Sequence, residues 1–239
     1  MIERVLITGH RGFVGRYFCD YFDDRGISYL GIDLKAGNDC RDFFKQSDER
    51  FDLVVHLAAI VGGRATIEGQ PLAVAIDLSV DSEMFNWALR TGQKRIVYYS
   101  SSAAYPISKQ VRGSRIKLTE NDIDLSNVSN PDETYGWSKL TGEILAYHAN
   151  KFGLRTHVFR PFSGYGTDQD LNYPFPSFID RVKRRVEEFE IWGDGEQVRD
   201  FMHITDIVYA TMQAVELDIV GPVNLGWGLR TSFNELANI

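Results

Sequence analysis

The stretch that decides the fold is VLITGHRGFVG, which occupies residues 5–15. A short apolar run ends at Thr8, glycines follow at Gly9, Gly12 and Gly15, and an amphipathic stretch then continues to Arg25. This order predicts a strand, a tight turn and a helix. Glycines in such a turn allow positive φ angles and close approach to a pyrophosphate, and the helix N-terminus supplies N–H groups with a positive dipole. The pattern predicts a dinucleotide site, although a tight turn without a ligand can carry the same glycines.

The remaining sequence alternates short apolar runs with amphipathic stretches. The predicted strands lie at 29–33, 53–57, 95–100 and 156–160, and the predicted helices lie at 71–90 and 134–152. This alternation is typical of parallel βαβ units and predicts an α/β fold with a Rossmann-like, doubly wound parallel sheet. Glycines and prolines become denser after residue 161. We therefore expect a dinucleotide-binding domain at 1–161 and a small C-terminal substrate-binding lobe at 162–239, interleaved with the first.

The composition limits the classes of function. The chain has 239 residues, a formal net charge of -7 and 44% apolar residues, which is typical of a soluble globular protein rather than a nucleic-acid binder. The longest apolar stretch, 53–61, is too short for a membrane span, and the first four residues do not resemble a signal peptide. The two cysteines form neither a CxxC pair nor a disulfide framework, and no metal-binding cluster is visible. We expect a cytoplasmic protein without nucleic-acid, membrane or metal ligands.

An acidic residue, Asp33, ends the second predicted strand. A carboxylate at this place can accept hydrogen bonds from both hydroxyls of an adenosine ribose and repels a 2′-phosphate. The sequence therefore favours NAD over NADP as the cofactor. Lys35, two residues further on, keeps NADP open as the alternative.

The spacing TGxxGxxG at residues 8–15 resembles that of the extended short-chain dehydrogenase/reductase family, in its NAD-dependent epimerase/dehydratase branch. Two further stretches are similar to motifs of that family: DCRD at 39–42, on the adenine side, and HLAA at 56–59, at a strand end beside the dinucleotide. The resemblance spans nearly the whole chain and implies an NAD-dependent enzyme that modifies nucleotide sugars. The residues assigned to the cofactor are Gly9, Gly12, Phe13, Val14, Gly15, Asp33, Leu34, Lys35, Asp39, Cys40, Leu57, Ala58, Ala59, Ser100, Tyr135, Lys139 and Phe162.

Tyrosine followed four residues later by lysine occurs as Tyr105–Lys109, Tyr135–Lys139 and Tyr147–Lys151. On a helix this spacing puts both side chains on one face, where the ammonium stabilises a phenolate and lowers the tyrosine pKa from about 10. Such a tyrosine can act as a general base on a sugar hydroxyl. Pro106 argues against a helix at the first pair, and the third pair lies near the end of its helix. We assign catalysis to Tyr135–Lys139, which matches the YxxxK motif of the family; the alternative is a surface tyrosine with a solvated lysine.

Ser100, Ser101 and Ser102 follow the fourth predicted strand, at the sheet edge where ligands bind. A hydroxyl there can donate a hydrogen bond to a substrate carbonyl or alkoxide. The family pattern has the catalytic Ser or Thr four residues before a tyrosine, here Tyr105. This pattern selects Ser101, with Ser102 as the next candidate, whereas Ser100 is expected mainly to end the strand.

The resemblance implies a first step in which the tyrosine removes a proton from a sugar hydroxyl while a hydride passes to NAD, which gives a 4-keto sugar. Dehydratases of the family carry Asp-Glu directly after the catalytic Ser or Thr, but this chain has Ser102-Ala103. Members that act on GDP sugars have loops similar to 59–63 and 102–106, yet they carry a cysteine where Ala103 stands and a second acid or base near Tyr173. We therefore expect 4-epimerisation, with 4-keto reduction or 4,6-dehydration as the enzymatic alternatives.

The sequence EIWGDGEQVRDFMHI at 190–204 resembles the GxGxxxRDFxHxxD block of the family. Its Arg199 suits the phosphates of a nucleotide sugar, because a guanidinium is always charged and can hold two phosphate oxygens. The alternative for Arg199 is a surface ion pair with Asp200 or Asp206. Trp192 either stacks on the nucleobase or belongs to the core.

RPFSGYG at 160–166 resembles the RPxNxYG turn of the family, with Ser163 in place of asparagine. Asp77 also stands where the family frequently has an asparagine. The residues assigned to the substrate are Ser101, Ser102, Tyr135, Ser163, Ile191, Trp192 and Arg199.

The predicted helices at 71–90 and 134–152 correspond to the two that the family pairs into a dimeric four-helix bundle, so the resemblance implies a homodimer. A function of another class is a non-catalytic NAD-binding sensor or scaffold. The three catalytic side chains favour the enzyme, because a sensor needs no base. The C-terminal tail, which is shorter than in the family, favours the sensor.

Overall fold

The computed structural model describes residues 2–61, 69, 71–111 and 116–239. The strands are β1 (Arg4–Thr8), β2 (Ser28–Ile32), β3 (Leu53–His56), β4 (Arg95–Tyr99), β5 (Arg155–Pro161), β6 (Ser163–Tyr165), β7 (Val198–Arg199), β8 (Phe201–His203), β9 (Gly221–Leu225) and β10 (Thr231–Ser232). The helices are α1 (Phe13–Asp23), α2 (Cys40–Gln46), α3 (Ala73–Thr91), α4 (Glu133–Lys151), α5 (Pro174–Lys183), α6 (Ile204–Glu216) and α7 (Phe233–Ala237).

Six strands form one parallel sheet in the order β2-β1-β3-β4-β5-β9. In the register of this sheet, Leu6 on β1 lies between Leu30 and Val54 of its two neighbours. The strand order reverses beside β1, and such a reversal opens a crevice outside the carboxyl ends of the strands. The topology confirms the predicted α/β fold with a Rossmann-like, doubly wound sheet.

The strands β1 to β5 and the helices α1, α3 and α4 begin and end within two residues of the predicted elements. The pattern predicted neither the edge strand β9 nor the helix α6, and it also missed α2. Asp39 caps this helix by accepting a hydrogen bond from the backbone N–H of Arg41, and Cys40 and Phe44 turn into the core. Burial of this short apolar face, rather than helix propensity, stabilises α2.

Apolar side chains pack on both faces of the sheet. One layer packs with α1 and α6 and includes Phe18 and Ile207. The other packs with α2, α3 and α4 and includes Trp87 and Ala146. Because helices pack on both faces, the strands are fixed in place, and so are the side chains at their carboxyl ends.

The C-terminal part of the chain contributes two small sheets, in which β6 runs parallel to β8 and β7 runs antiparallel to β10. It also contributes β9 to the edge of the main sheet. The predicted domain boundary at residue 161 stays a prediction.

None of the helices in the described part of the chain combines the length and the apolarity that crossing a membrane requires. Within the same residues, no three His, Cys, Asp or Glu side chains are grouped so that they could hold a metal ion.

Candidate active site

The turn between β1 and α1 has no room for side chains at two of its glycines. Gly9 has φ +73°, and a Cβ there would lie 2.9 Å from the Leu57 carbonyl carbon. A Cβ on Gly15 would lie 2.2 Å from the Gly9 carbonyl oxygen. Gly12 donates a backbone hydrogen bond to that oxygen at 2.9 Å and caps α1. The turn therefore presents bare backbone and a helix N-terminus, which fits the pyrophosphate of a dinucleotide.

Asp33 is buried directly after β2. One carboxylate oxygen accepts the backbone N–H of Arg11 at 2.8 Å, and the other accepts the N–H of Lys35 at 2.7 Å. These bonds tie the glycine turn to the end of β2. Each oxygen keeps a further lone pair that can accept a ribose hydroxyl, so the carboxylate fits the role predicted for it.

The predicted adenine-side residues surround the start of α2. Asp39 holds the Arg41 guanidinium through both carboxylate oxygens, and this hydrogen bonding lowers the Asp39 pKa. Cys40 is buried, and burial raises the pKa of its thiol to about 12. A neutral, packed thiol shapes this region without reacting. Leu34, by contrast, is largely exposed.

The residues after β3 approach β1 closely. Leu57 and Ala58 both donate backbone hydrogen bonds to the Thr8 hydroxyl at 3.3 Å. Ala59 follows them and is half-buried. The loop similarity noted at 59–63 lies partly outside the described residues, because it includes 62 and 63.

The catalytic pair predicted at the start of α4 is assembled in the structure. The Lys139 ammonium is buried and lies 5.9 Å from the centroid of the Tyr135 ring. The pKa of Tyr135 is raised above its usual value, chiefly by burial and also by the charge of Asp77, and the Lys139 charge and a hydrogen bond with Ser101 offset this only in part. The lowered tyrosine pKa that the sequence predicted is therefore not found. Burial also opposes the charge on Lys139, but Tyr135 and the carboxylates of Asp81 and Asp77 outweigh this effect and raise the Lys139 pKa.

A glycine lets α4 approach the serine turn. A Cβ on Gly136 would lie 2.3 Å from the Ala103 carbonyl oxygen, which also accepts the Asp132 N–H at 2.9 Å. The first turn of α4 therefore rests on residues 102–104, and this brings Tyr135 to Ser101.

The three serines differ in their surroundings. Ser101 accepts the Ala103 N–H at 3.1 Å and is half-buried beside Tyr135. Ser102 begins the 3-10 turn at 102–104 and is also half-buried. Ser100 is buried, and its hydroxyl donates to Glu143. The arrangement agrees with Ser101 as the first candidate, and it directs the Ser100 hydroxyl into the protein.

The other two Tyr-Lys pairs lie elsewhere. The Tyr105 hydroxyl is bonded to Asn224 at 2.6 Å, while Lys109 forms an ion pair with Asp122. Lys151 lies 4.2 Å from the centroid of the half-exposed Tyr147 ring, as a surface pair does. In neither pair do the tyrosine hydroxyl and the lysine ammonium lie together beside Ser101.

Two aspartates on α3, one helical turn apart, belong to the site and were not assigned to it from sequence. Asp81 accepts the Tyr98 hydroxyl at 2.5 Å and lies 3.2 Å from His56 Nε2, so both of its oxygens are bonded. Asp77 is only 1% exposed and accepts the Ile60 N–H at 2.6 Å through Oδ1. Their spacing of four residues on a predicted, largely apolar helix was the signal that could have revealed them.

Asp77 and Asp81 differ in pKa. Burial favours the neutral form of both carboxyls. For Asp81, hydrogen bonding from His56 and the Lys139 charge outweigh burial and lower the pKa. For Asp77, burial prevails and raises the pKa to about 6, although Lys139 opposes it.

The predicted substrate residues lie in the C-terminal part. Trp192 is 82% exposed, which excludes the core alternative and leaves its ring free to stack on a ligand. Arg199 lies over the Phe233 ring at 5.5 Å. The Ser163 N–H is bonded to the Asp200 carbonyl, and Ile191 is half-buried. Burial and the nearby Tyr135 raise the pKa of Tyr173 to about 12.

Comparison with known proteins agrees with this geometry. Residues 5–226 match the NAD dependent epimerase/dehydratase family. GDP-mannose 3,5-epimerase of Arabidopsis thaliana is 31% identical over 258 residues, which cover 99% of this chain and 68% of the relative. The dTDP-4-dehydro-6-deoxy-D-allose reductase of a Streptomyces species is 30% identical over 265 residues, which cover 98% of this chain and 79% of the relative.

Among solved structures, the UDP-glucose 4-epimerase of Thermus thermophilus in complex with NAD has a TM-score of 0.78 and 21% identity, covering 98% of this chain and 81% of that one. Its likeness concerns the fold. The family match confirms the resemblance and the NAD cofactor that the sequence predicted. This chain belongs to the NAD-dependent epimerase/dehydratase family and is an NAD-dependent enzyme.

Proposed function

We propose that the protein is a nucleotide-sugar 4-epimerase that works through a 4-keto intermediate. The observation that carries the proposal is the half-buried Tyr135 beside the buried Lys139, with Ser101 hydrogen-bonded to the tyrosine. Oxidation at C4 followed by reduction from the other face needs only these side chains and NAD. The chain has neither Asp-Glu after Ser101 nor a cysteine at 103, which dehydration and epimerisation next to the ketone would call for by family resemblance.

Each side chain has a defined task. Ser101 donates a hydrogen bond to the reacting sugar oxygen, Tyr135 takes its proton and later returns it, and the Lys139 charge stabilises the phenolate in between. The glycine turn and Asp33 would hold NAD, which would supply the acceptor and donor of the hydride. Arg199 is proposed to bind the diphosphate of the sugar nucleotide, and Trp192 to stack on its base.

The test is turnover on a panel of UDP-, GDP-, dTDP- and CDP-sugars, with products followed by NMR. We expect inversion at C4 on one of these sugars. Tyr135→Phe should lower the rate about 10²- to 10⁴-fold, as loss of a general base does. Tyr147→Phe is the matched control, because Tyr147 has the same spacing to a lysine on the same helix but lies on the surface; its rate should stay within about twofold of the parent rate.

A 4-keto reductase is the second candidate, favoured by the identity to the Streptomyces reductase. In that case reduced cofactor is consumed with a 4-keto sugar and no C4 epimer accumulates from the alcohol. Dinucleotide binding without turnover of any sugar would instead support the non-catalytic sensor.

We also propose a homodimer in the cytoplasm. Exposed apolar side chains lie on both helices of the expected bundle, with Leu78 and Leu89 on α3 and Trp137 on α4. Light scattering should give twice the chain mass, and Leu89→Glu should reduce it to one chain mass. A parent protein of one chain mass would refute the dimer.

A further inference from the structure

Asp77 is a buried carboxylate that acts electrostatically on Tyr135 and Lys139, and among the described residues only one of its two oxygens has a hydrogen-bond partner. Asp77 Oδ1 accepts the Ile60 N–H, but Oδ2 has no hydrogen-bond partner among the described residues, although it is shielded from water. A buried polar atom without a partner is costly and uncommon in folded proteins. Asparagine at this place would be uncharged, so the aspartate adds a negative charge that the fold itself does not use.

The groups that face Asp77 come from three elements. Lys139 and Tyr135 lie on α4, His56 ends β3, and Asp81 lies one turn further along α3. His56 and Asp81 are bonded to each other, and Asp81 is also bonded to Tyr98, so their hydrogen bonds are already made. Among the charges of this group, that of Lys139 is the one opposite in sign to Asp77 and adjacent to Tyr135.

The positive charge of Lys139 therefore interacts with several groups at once. It is buried, its ammonium lies 5.4 Å from the Tyr98 ring and 5.9 Å from the Tyr135 ring, and the charges of Asp77 and Asp81 both act on it. The charge of Asp77 also acts on Tyr135 directly and disfavours a second negative charge there. An anion close to a phenol makes the phenol harder to ionise.

We propose that Asp77 is a positioning residue that, when ionised, keeps the proton on Tyr135 and so favours proton donation by Tyr135 over proton abstraction. The inference rests on the proposed acid–base role of Tyr135. It bears on the pH dependence of the site, because an ionised Asp77 moves the ionisation of Tyr135 to higher pH.

The favoured step balances as follows. The carbonyl carbon takes a hydride from a reduced nicotinamide dinucleotide, the π electrons of the carbonyl move to oxygen, and the Tyr135 proton forms the new O–H bond. The products are the sugar alcohol, the oxidised dinucleotide and the Tyr135 phenolate, which water reprotonates. Ionised Asp77 assists the last event, because it raises the proton affinity of the phenolate.

The test is a titration that needs no sugar. The phenolate absorbance of Tyr135 is measured against pH with NAD bound, as the difference between the parent protein and Tyr135→Phe. The same difference is then measured with Asp77→Asn present in both proteins. We expect the midpoint to fall by about one pH unit, which is a tenfold lower proton affinity. Glu83→Gln is the control, because it removes a charge from the same helix at its pair with Lys45, and it should leave the midpoint unchanged.

The rates provide the second readout. Asp77→Asn should move the pH profile of kcat/KM for sugar oxidation down by about one pH unit, and kcat/KM for keto-sugar reduction should change by the same factor at each pH, because the substitution leaves the equilibrium constant unchanged. Asp77→Ala serves both measurements if the asparagine variant does not fold. A midpoint that moves by less than about 0.3 unit, a factor of two, overturns the inference even when sugars are converted. A shifted midpoint without conversion of any sugar supports the inference and refutes the proposed function instead.

Discussion

Glu143→Gln is expected to be among the most destabilising single changes in the chain. Arg160 donates to Glu143 through Nε at 2.9 Å and through Nη2 at 2.6 Å, and the two side chains are only 1% and 3% exposed. Removing one charge leaves the guanidinium buried without a counter-charge, which costs about 3–5 kcal/mol. At roughly 2–4 °C per kcal/mol for a chain of this size, the melting temperature should fall by about 6–20 °C.

The assay is urea unfolding of the protein without ligand, with the same m-value expected for both proteins so that the midpoint reports stability. Asp218→Asn is the matched control. It breaks a pair with Arg155 of the same chemistry, but there the side chains are 49% and 52% exposed. An exposed pair contributes at most about 1 kcal/mol. If Glu143→Gln costs no more than Asp218→Asn, burial does not determine the strength of these pairs and the reasoning fails.

Three further predictions concern other buried contacts. Burial raises the Asp77 pKa to about 6. The folded state therefore binds this proton more tightly than the unfolded state, so the protonated group stabilises the fold below pH 4, and this contribution is lost as pH rises through 6. In urea unfolding, Asp77→Asn should increase the free energy of unfolding by up to about 3 kcal/mol at pH 8 and change it little at pH 4. Gly142→Ala should cost about 1–3 kcal/mol despite better helix propensity, because the added Cβ would lie 1.8 Å from the Tyr98 hydroxyl; an unchanged urea midpoint would contradict this. Asp33→Ala should weaken NAD binding about 10- to 100-fold in calorimetry while NADP binding falls less, because hydrogen bonds to a charged acceptor are lost; equal losses would argue against ribose recognition by this carboxylate.

The sequence was sufficient for the first five strands of the main sheet, but not for its edge strand β9. Apolar runs such as 53–57 alternate with amphipathic stretches, and this periodicity depends on local sequence. The helix α2 could not be predicted because its seven residues, with two adjacent phenylalanines, show no clear hydrophobic periodicity. Its stability comes from packing against Trp87, which lies far along the chain.

In the candidate site, too, the sequence predicted what depends on local spacing and missed what depends on packing between distant parts of the chain. Motif spacing was sufficient to predict the close backbone approach at Gly9 and the shared helix of Tyr135 and Lys139, because both are properties of local spacing. The roles of these residues and of Ser101 stay predictions. Motif spacing could not show that the Ser100 hydroxyl turns toward Glu143 or that Trp192 is exposed. Those facts depend on which distant elements pack together, and a partner 43 positions away in the chain leaves no local periodicity.

The two aspartates of α3 illustrate why residue type alone does not determine a role. Both are buried, and both lie within the electrostatic reach of Lys139. Asp81 has a hydrogen-bond partner on each oxygen, so its negative charge persists and supports the strand ends at His56 and Tyr98. Asp77 has one oxygen without a partner among the described residues, so the free-energy difference between its neutral and charged forms is small near pH 6. Because burial raises the Asp77 pKa to about 6 while hydrogen bonding lowers that of Asp81, the charge of Asp77 is the one of these two that varies with pH near neutrality.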